Sequence, residues 1–235
     1  MRRMLDLVRM VTEAHPKDEF FDTLNESLRN SSQVRAIYKA YERAISYLDT
    51  ESWGMLSKKA LEHFRNHREG QRKQGFFNQL NEAFAFQFLV RQGYEGVSVL
   101  PENGATTPDL TYLENGIRRY CEVKTIGISK DELVRRAAEE SFDCSIYQEL
   151  SKGFLSKLDY DLNQAHQQIS SQHGQGLVFV IANFDDFTLT HYDRYQEQIS
   201  QFLSSHEVED VFVKIGLIGG RRIYKQGGRL CAPGF

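Results

Sequence analysis

Residues 106–126 read TTPDLTYLENGIRRYCEVKTI, and this stretch decides the fold. Two runs within it, 109–113 and 117–126, are rich in the β-branched and aromatic residues that suit strands. The short segment Glu114-Asn115-Gly116 separates them, and an Asn-Gly pair between two such runs is a strong signal for a tight turn. The stretch therefore predicts a β-hairpin.

The hairpin carries charged residues in a pattern that predicts a metal site. Side chains alternate along a strand, so Glu122 and Lys124 share one face while Val123 lies on the other. Pro108 lacks an N–H and suits the start of a strand, which puts Asp109 at its first position. The hairpin can then bring Asp109, Glu122 and Lys124 together at one end of a sheet. Carboxylate oxygens are the ligands that suit Mg²⁺.

Pro108-Asp109 followed by Glu122-Val123-Lys124 resembles the signature of the PD-(D/E)xK, or restriction-endonuclease-like, nuclease superfamily. The resemblance implies that Asp109 and Glu122 hold Mg²⁺, with Mn²⁺ as the expected substitute. It implies that the main-chain carbonyl of Val123 joins them and that Lys124 positions the attacking water. The expected activity is metal-dependent hydrolysis of phosphodiester bonds in nucleic acid, with DNA favoured over RNA and endonuclease over exonuclease action.

A strongly apolar segment at residues 76–92 predicts a buried helix that ends at Gly93. Glu82 is its one acid, and a buried carboxylate needs a partner or a metal. The superfamily commonly places a glutamate that faces the metal on a helix before the first core strand, so the resemblance implies a catalytic and metal-binding role for Glu82. The alternative is that Glu82 lies at an exposed edge of the helix and pairs with an arginine.

Residues 151–172 predict a second long helix with an apolar stripe and a neighbouring polar stripe. Gln164 and Gln168 lie on the polar stripe, with Lys157 behind them. Many superfamily members have a glutamine near the active site on a helix at this place, so the resemblance implies a catalytic role for Gln164 or Gln168. A hydrated helix face explains the same glutamines equally well.

The order of predicted elements indicates the fold class. A helix, a strand, the hairpin, a helix and the buried strand 176–183 follow one another, which matches the αβββαβ core of the restriction-endonuclease-like fold, an α/β fold with a mixed central sheet flanked by helices. Residues 1–70 show only helical patterns, at 19–28, 33–48 and 53–67. We therefore expect a helical N-terminal region over 1–70 and a nuclease-like domain over 71–235.

Six basic residues are candidates for weak contact with nucleic-acid phosphates, because cationic side chains bind the sugar-phosphate backbone whatever the base sequence. The alternative for each is an ordinary hydrated surface or linker position. The six are Arg68, Arg72, Lys73, Arg135, Arg136 and Lys157.

The formal net charge of −3 argues against a protein that coats nucleic acid by electrostatics alone. Three cysteines with no zinc-binding spacing favour reduced thiols in the cytoplasm. The sequence shows no apolar run that could cross a bilayer and no secretory signal pattern. A catalytically inactive module of the same fold that binds nucleic acid or protein remains the alternative function, and a homodimer remains an open alternative.

Overall fold

The computed structural model describes residues 2–66, 73–102, 107–127, 129, 133–135, 138, 144–183 and 191–231. Seven strands within these ranges form an open mixed sheet flanked by helices, so the chain is an α/β protein. The predicted class is confirmed at this level. The finer assignment to the restriction-endonuclease-like fold stays a prediction.

The chain divides into two compact units, Met1–Arg118 and Arg119–Phe235. The first unit is mainly helical, and its two complete strands pair antiparallel. Its elements are α1 (Arg2–Ala14), a short 3₁₀ helix (Glu19–Phe21), α2 (Leu24–Asn30), α3 (Ser32–Ile45), α4 (Thr50–Glu62), α5 (Gln74–Arg91), β1 (Glu95–Val99) and β2 (Leu110–Glu114).

Helix starts in the first unit follow from capping side chains. Ser31 Oγ accepts a hydrogen bond from the Val34 N–H at the start of α3, and Asp49 Oδ1 accepts one of 2.7 Å from the Ser52 N–H at the start of α4. The single helix predicted over 19–28 is instead divided into the 3₁₀ helix and α2. The Asp18 side chain caps the 3₁₀ helix, which ends before α2 begins.

Helices α3 and α4 pack against α5 inside the first unit. The Tyr41 hydroxyl on α3 donates a buried hydrogen bond of 3.0 Å to Asn81 Oδ1 on α5. The Val99 N–H on β1 donates to Ser52 Oγ on α4 at 3.3 Å. These contacts tie the N-terminal helices to α5 and β1 within the first unit, and the predicted division into domains at residue 70 stays a prediction.

The second unit holds the rest of the sheet. Strand β4 (Gly176–Ala182) pairs in parallel with β3 (Ile117–Ile126) and with β5 (Val211–Ile215), and antiparallel pairing continues from β5 to β6 (Arg222–Gln226) and from β6 to β7 (Arg229–Cys231). The sequence predicts strands at 210–216 and 221–225 that pair across Gly219-Gly220, and the antiparallel pairing of β5 with β6 confirms this hairpin, while β7 was not predicted. Its helices are α6 (Lys152–Ser171), α7 (Tyr192–Ser205) and a 3₁₀ turn, Cys144–Tyr147.

Strand β4 is buried on both faces, as its unbroken apolar sequence predicts. One face carries Val178 and Val180, which belong to a core that also contains Leu162 of α6 and Ile199 of α7. On the other face, the ring of Phe179 stacks on Phe212 with centroids 5.0 Å apart. The central strand therefore provides a rigid support for its neighbour β3.

The turn between β2 and β3 has the backbone conformation that its Asn-Gly sequence predicts. Asn115 and Gly116 both have positive φ, at 54° and 76°, as a type I′ turn requires. The sequence also predicts a helix from about residue 131 to residue 141, and most of these residues lie outside the described ranges. Among the helices that the structure describes, none is long and apolar enough to cross a membrane.

Candidate functional site

A buried lysine that faces three carboxylates lies in the first unit. Lys59 of α4 is 3% exposed, and its Nζ lies 2.6 Å from Oε1 of Glu82 on α5. The same Nζ lies 3.8 Å from Asp109 Oδ1, just before β2, and 3.9 Å from Glu102 Oε1. The Asp109 carbonyl accepts the N–H of Leu100 at 2.8 Å, which fixes the backbone beside β1. The structure thus brings Glu82 and Asp109 together around an ammonium.

Burial dominates the electrostatics of this cluster. It raises the pKa of the Glu82 carboxyl well above its usual range, and the negative charge of Asp109 raises it further, while Lys59 only partly offsets both effects. Burial alone would lower the pKa of Lys59, but the charges of Glu82 and Asp109 outweigh burial and raise it. The alternative that Glu82 lies at an exposed helix edge with an arginine is wrong, because Glu82 is 3% exposed and its partner is Lys59.

A more exposed pair extends the first cluster toward solvent. The side chain of Glu102 is 46% exposed, and its Oε2 lies 3.0 Å from Nε2 of His63 on the C-terminal side of α4. Nδ1 of His63 lies 2.8 Å from Nδ2 of Asn66. Glu102 therefore connects the buried carboxylates to the surface.

A second cluster lies in the second unit around Lys124. Its Nζ donates to the side-chain carbonyls of Gln168 at 2.7 Å and Gln164 at 3.1 Å, both on α6, and lies 2.9 Å from Glu122 Oε1. The side chains of Lys124 and Glu122 are 15% and 5% exposed. The structure therefore brings together four of the predicted residues, Glu122, Lys124, Gln164 and Gln168.

Strand register explains why this cluster forms. Glu122 pairs with Val178 and Lys124 pairs with Val180, and both valines belong to the core that includes α6. Val123 pairs with Phe179, whose side chain belongs to the opposite face of β4. Alternation therefore directs Glu122 and Lys124 toward α6, as the sequence pattern predicts for this pair.

The candidates for phosphate contact have different surroundings. Lys73 is 4% exposed and pairs with Asp18, and its Nζ lies 3.6 Å from the ring centroid of Phe64. Its ammonium therefore interacts with groups inside the fold rather than with solvent. Lys157 is half-exposed and pairs with Asp161 one helical turn away. Arg135 is half-buried. Arg68, Arg72 and Arg136 lie outside the described residues.

Sequence reasoning missed Lys59, Glu102 and His63. A signal for Lys59 was present, because it lies on the same helical stripe as Leu56 and next to Ala60, both fully buried. A charged residue on an apolar stripe predicts a buried partner. Glu102 and His63 carry no comparable signal, since their pairing depends on how α4 packs beside β1.

The donor chemistry of the first cluster suits a hard divalent cation, since its acidic groups are carboxylates. Glu82 Oε2 is buried without a hydrogen-bond partner among the described residues. Three carboxylates, those of Glu82, Asp109 and Glu102, face the one ammonium of Lys59. Within the described ranges, however, no group of three or more aspartate, glutamate, histidine or cysteine side chains is arranged so that it could hold a metal ion. The carboxylate oxygens of the cluster are ligands of the type that suits Mg²⁺, and in this arrangement the Lys59 ammonium lies among them.

The predicted site residues thus fall into two groups, Glu82 with Asp109 in the first unit, and Glu122 with Lys124, Gln164 and Gln168 in the second. Comparisons with protein-family models, with curated proteins and with solved structures gave no match to this chain.

Proposed function

We propose that this protein is a metal-dependent nuclease that hydrolyses phosphodiester bonds, with DNA as the favoured substrate and the cytoplasm as its setting. The observation that carries the proposal is the environment of Lys124. Its ammonium is fixed by Glu122 and by two glutamines of α6. A lysine whose ammonium is held in a fixed position beside a buried carboxylate can stabilise negative charge that develops on a reacting phosphate.

The resemblance of Pro108-Asp109 and Glu122-Val123-Lys124 to the superfamily signature supports a metal-binding role for both carboxylates. Asp109, Glu122, Glu82 and the main-chain carbonyl of Val123 are the proposed ligands of Mg²⁺.

Lys124 has three N–H donors, and three acceptors already surround it. A water molecule or a phosphate oxygen therefore reaches the ammonium by replacing one of them. The bond to Gln164, at 3.1 Å, is the longer of the two glutamine bonds and the one we expect to exchange. Gln168 and Glu122 then keep Nζ in place while it donates to the incoming oxygen.

The remaining chemistry is divided between the metal, when it is bound, and Lys124. When bound, the metal supplies an acidified water and neutralises phosphate charge. Lys124 orients that water or stabilises negative charge that develops on the phosphate. Burial of Glu122 and Lys124 limits competition from bulk water and strengthens their interactions.

Cleavage assays with purified protein test the proposal. Supercoiled plasmid and short single-stranded DNA are incubated with Mg²⁺, with Mn²⁺ or with EDTA, for the wild type and for Lys124→Ala. We expect metal-dependent cleavage that falls by at least about 10²-fold in the variant, the effect of removing one positioned donor at a reacting group.

Lys152→Ala is the matched control, because Lys152 is an exposed lysine at the start of the same helix, α6. It should cleave at the wild-type rate. Cleavage that persists in excess EDTA, or that is equal in wild type and Lys124→Ala, would contradict the proposal.

A second function has one observation in its favour. Lys59 already neutralises part of the charge of Glu82 and Asp109, as expected of a module that has this architecture but performs no catalysis. Such a module would bind nucleic acid or protein without cleavage. Divalent metal binding, measured by calorimetry, separates the two, since the inactive module needs none.

A further inference from the structure

Helix α4 contributes Lys59 to a group of carboxylates that belongs to other elements. Its Nζ contacts Glu82 at 2.6 Å and lies 3.8 Å from Asp109. These are two of the residues to which the proposed function assigns the metal. The ammonium is thus a positive charge, fixed by the protein itself, at the place where a divalent cation would be attracted.

The cluster retains features that an ammonium alone does not satisfy. Oε2 of Glu82 is buried and has no hydrogen-bond partner within the described part of the chain, while Oε1 of the same carboxylate contacts Lys59. Three carboxylates face this one ammonium. A divalent cation would add positive charge beside them and coordinate the remaining oxygen of Glu82.

We propose that Lys59 is an internal counter-ion that holds Glu82 and Asp109 in the metal-free protein, and that a divalent cation binds these carboxylates only by displacing the Lys59 ammonium. This inference rests on the proposed function, because it uses the metal ligands assigned there. A cation on Oε2 of Glu82 would lie close to the ammonium that contacts Oε1 of the same buried carboxylate, and two positive charges so close together in a buried site repel each other strongly. Metal and lysine therefore compete.

The displaced ammonium has a place to go. Glu102 Oε1 lies 3.9 Å from Nζ of Lys59, and the Glu102 side chain is 46% exposed. Lysine has a flexible four-carbon stem that allows such a movement without a change in the helix backbone. Lys59 can thus exchange Glu82 for Glu102 and move its charge toward solvent.

The first experiment measures metal affinity without nucleic acid. Mn²⁺ is titrated by calorimetry into wild type, Lys59→Met and Lys58→Met. Lys58 is the matched control, because it neighbours Lys59 but is exposed and pairs with Glu62 on the surface. We expect Lys59→Met to bind Mn²⁺ at least tenfold more tightly than wild type and Lys58→Met to be unchanged. Unchanged or weaker binding by Lys59→Met would overturn the inference.

Thermal unfolding provides a second readout from the same variants. In EDTA, Lys59→Met should melt below wild type, because Glu82 and Asp109 lose their counter-ion. Mn²⁺ should then raise its Tm by more than it raises that of wild type. An equal Tm shift in the two proteins would contradict competition.

A measurement on the wild type covers the case in which Lys59→Met does not fold. Amine-reactive labelling followed by peptide mass spectrometry reports the exposure of each lysine. Lys59 should label slowly in EDTA and several-fold faster with Mn²⁺, while Lys58 should label at the same rate in both. Labelling of Lys59 that is unchanged or slowed by Mn²⁺ would overturn the inference.

These outcomes are distinguishable from failure of the proposed function. Nuclease activity with unchanged Lys59 labelling would reject the inference and leave the function standing. Competition between Mn²⁺ and Lys59 without cleavage would do the reverse. Absence of Mn²⁺ binding in every variant would reject both.

Discussion

The ammonium of Lys124 donates a 2.7 Å hydrogen bond to the side-chain carbonyl of Gln168. The two residues are far apart in sequence, and the bond joins the strand with the E-V-K motif to helix α6. Gln168 therefore fixes the position of the Lys124 ammonium. In the reaction proposed above Gln168 would be a positioning residue, and its contribution to the rate can be measured separately from its contribution to fold stability.

Gln168→Met should lower kcat and leave KM close to its wild-type value. The change preserves length but removes the carbonyl that fixes Lys124, and a hydrogen bond to a charged group contributes about 1.5–3 kcal/mol, or about ten- to a hundredfold in rate. Steady-state kinetics on plasmid DNA provide the measurement. Gln167→Met, at an exposed position on the same helix, is the control. A selective rise in KM would reject the positioning role.

Glu82→Ala should destabilise the fold much more than Glu62→Ala. Both residues pair with a lysine of α4, but the Glu82–Lys59 pair is buried and the Glu62–Lys58 pair is exposed. Loss of one partner of a buried pair costs about 3–5 kcal/mol, and loss of an exposed pair less than about 1 kcal/mol. Urea unfolding in EDTA measures both. Equal losses of unfolding free energy in the two variants would show that the buried Glu82–Lys59 pair stabilises the fold no more than the exposed Glu62–Lys58 pair.

Lys214 of β5 should make stability rise with pH. Burial lowers its pKa to about 8, and the charge of neighbouring Arg222 contributes. The unfolded chain has the ordinary lysine value near 10.5 and keeps its proton longer, so the folded state gains stability as pH increases from about 8 to about 10.5.

The test compares wild type with Lys214→Met, which keeps the stem and removes the charge. At pH 7 the variant should be more stable, by up to about 3 kcal/mol if the full pKa difference applies. Urea unfolding between pH 7 and 10 should show this advantage shrinking as pH rises. An advantage that is constant across pH would contradict the assigned pKa.

Gly176→Ala should prevent normal pairing of β3 with β4. A Cβ at this position would lie 1.8 Å from the carbonyl oxygen of Tyr120, a backbone atom that cannot move without shifting β3. Thermal unfolding should show a large loss of stability, or the variant should fail to accumulate in folded form. Gly153→Ala in α6 is the control, since a Cβ there would lie 3.7 Å from Ser151 Oγ, an ordinary contact distance, and alanine favours helices. A wild-type Tm for Gly176→Ala would disprove the close approach.

Local patterns were sufficient to predict most of the second unit and the hairpin. Asn115-Gly116 predicted a turn because few residue pairs adopt two successive positive φ values easily. The apolar run of β4 predicted its burial because each face packs against side chains. The placement of Gln164 and Gln168 beside Lys124 followed the family resemblance, and their catalytic role stays a prediction.

Tertiary packing decided what the sequence patterns did not predict. Lys59 was overlooked because a charged residue in a helix usually faces water, and only the position of α5 gives it a buried carboxylate. The break between the 3₁₀ helix and α2 depends on a local cap at Asp18 rather than on hydrophobic spacing.

The partnership of α4 with α5 has a practical consequence for anyone who wishes to shorten this protein. A chain that begins at residue 71 would keep Glu82 and lose Lys59, so a carboxylate in an apolar setting would have no opposite charge. It would also uncover Leu80 and Phe84, which are buried in the intact protein. Such a fragment should aggregate on expression, even though it retains the whole E-V-K motif. The N-terminal helices are therefore part of the smallest piece that can fold and be assayed.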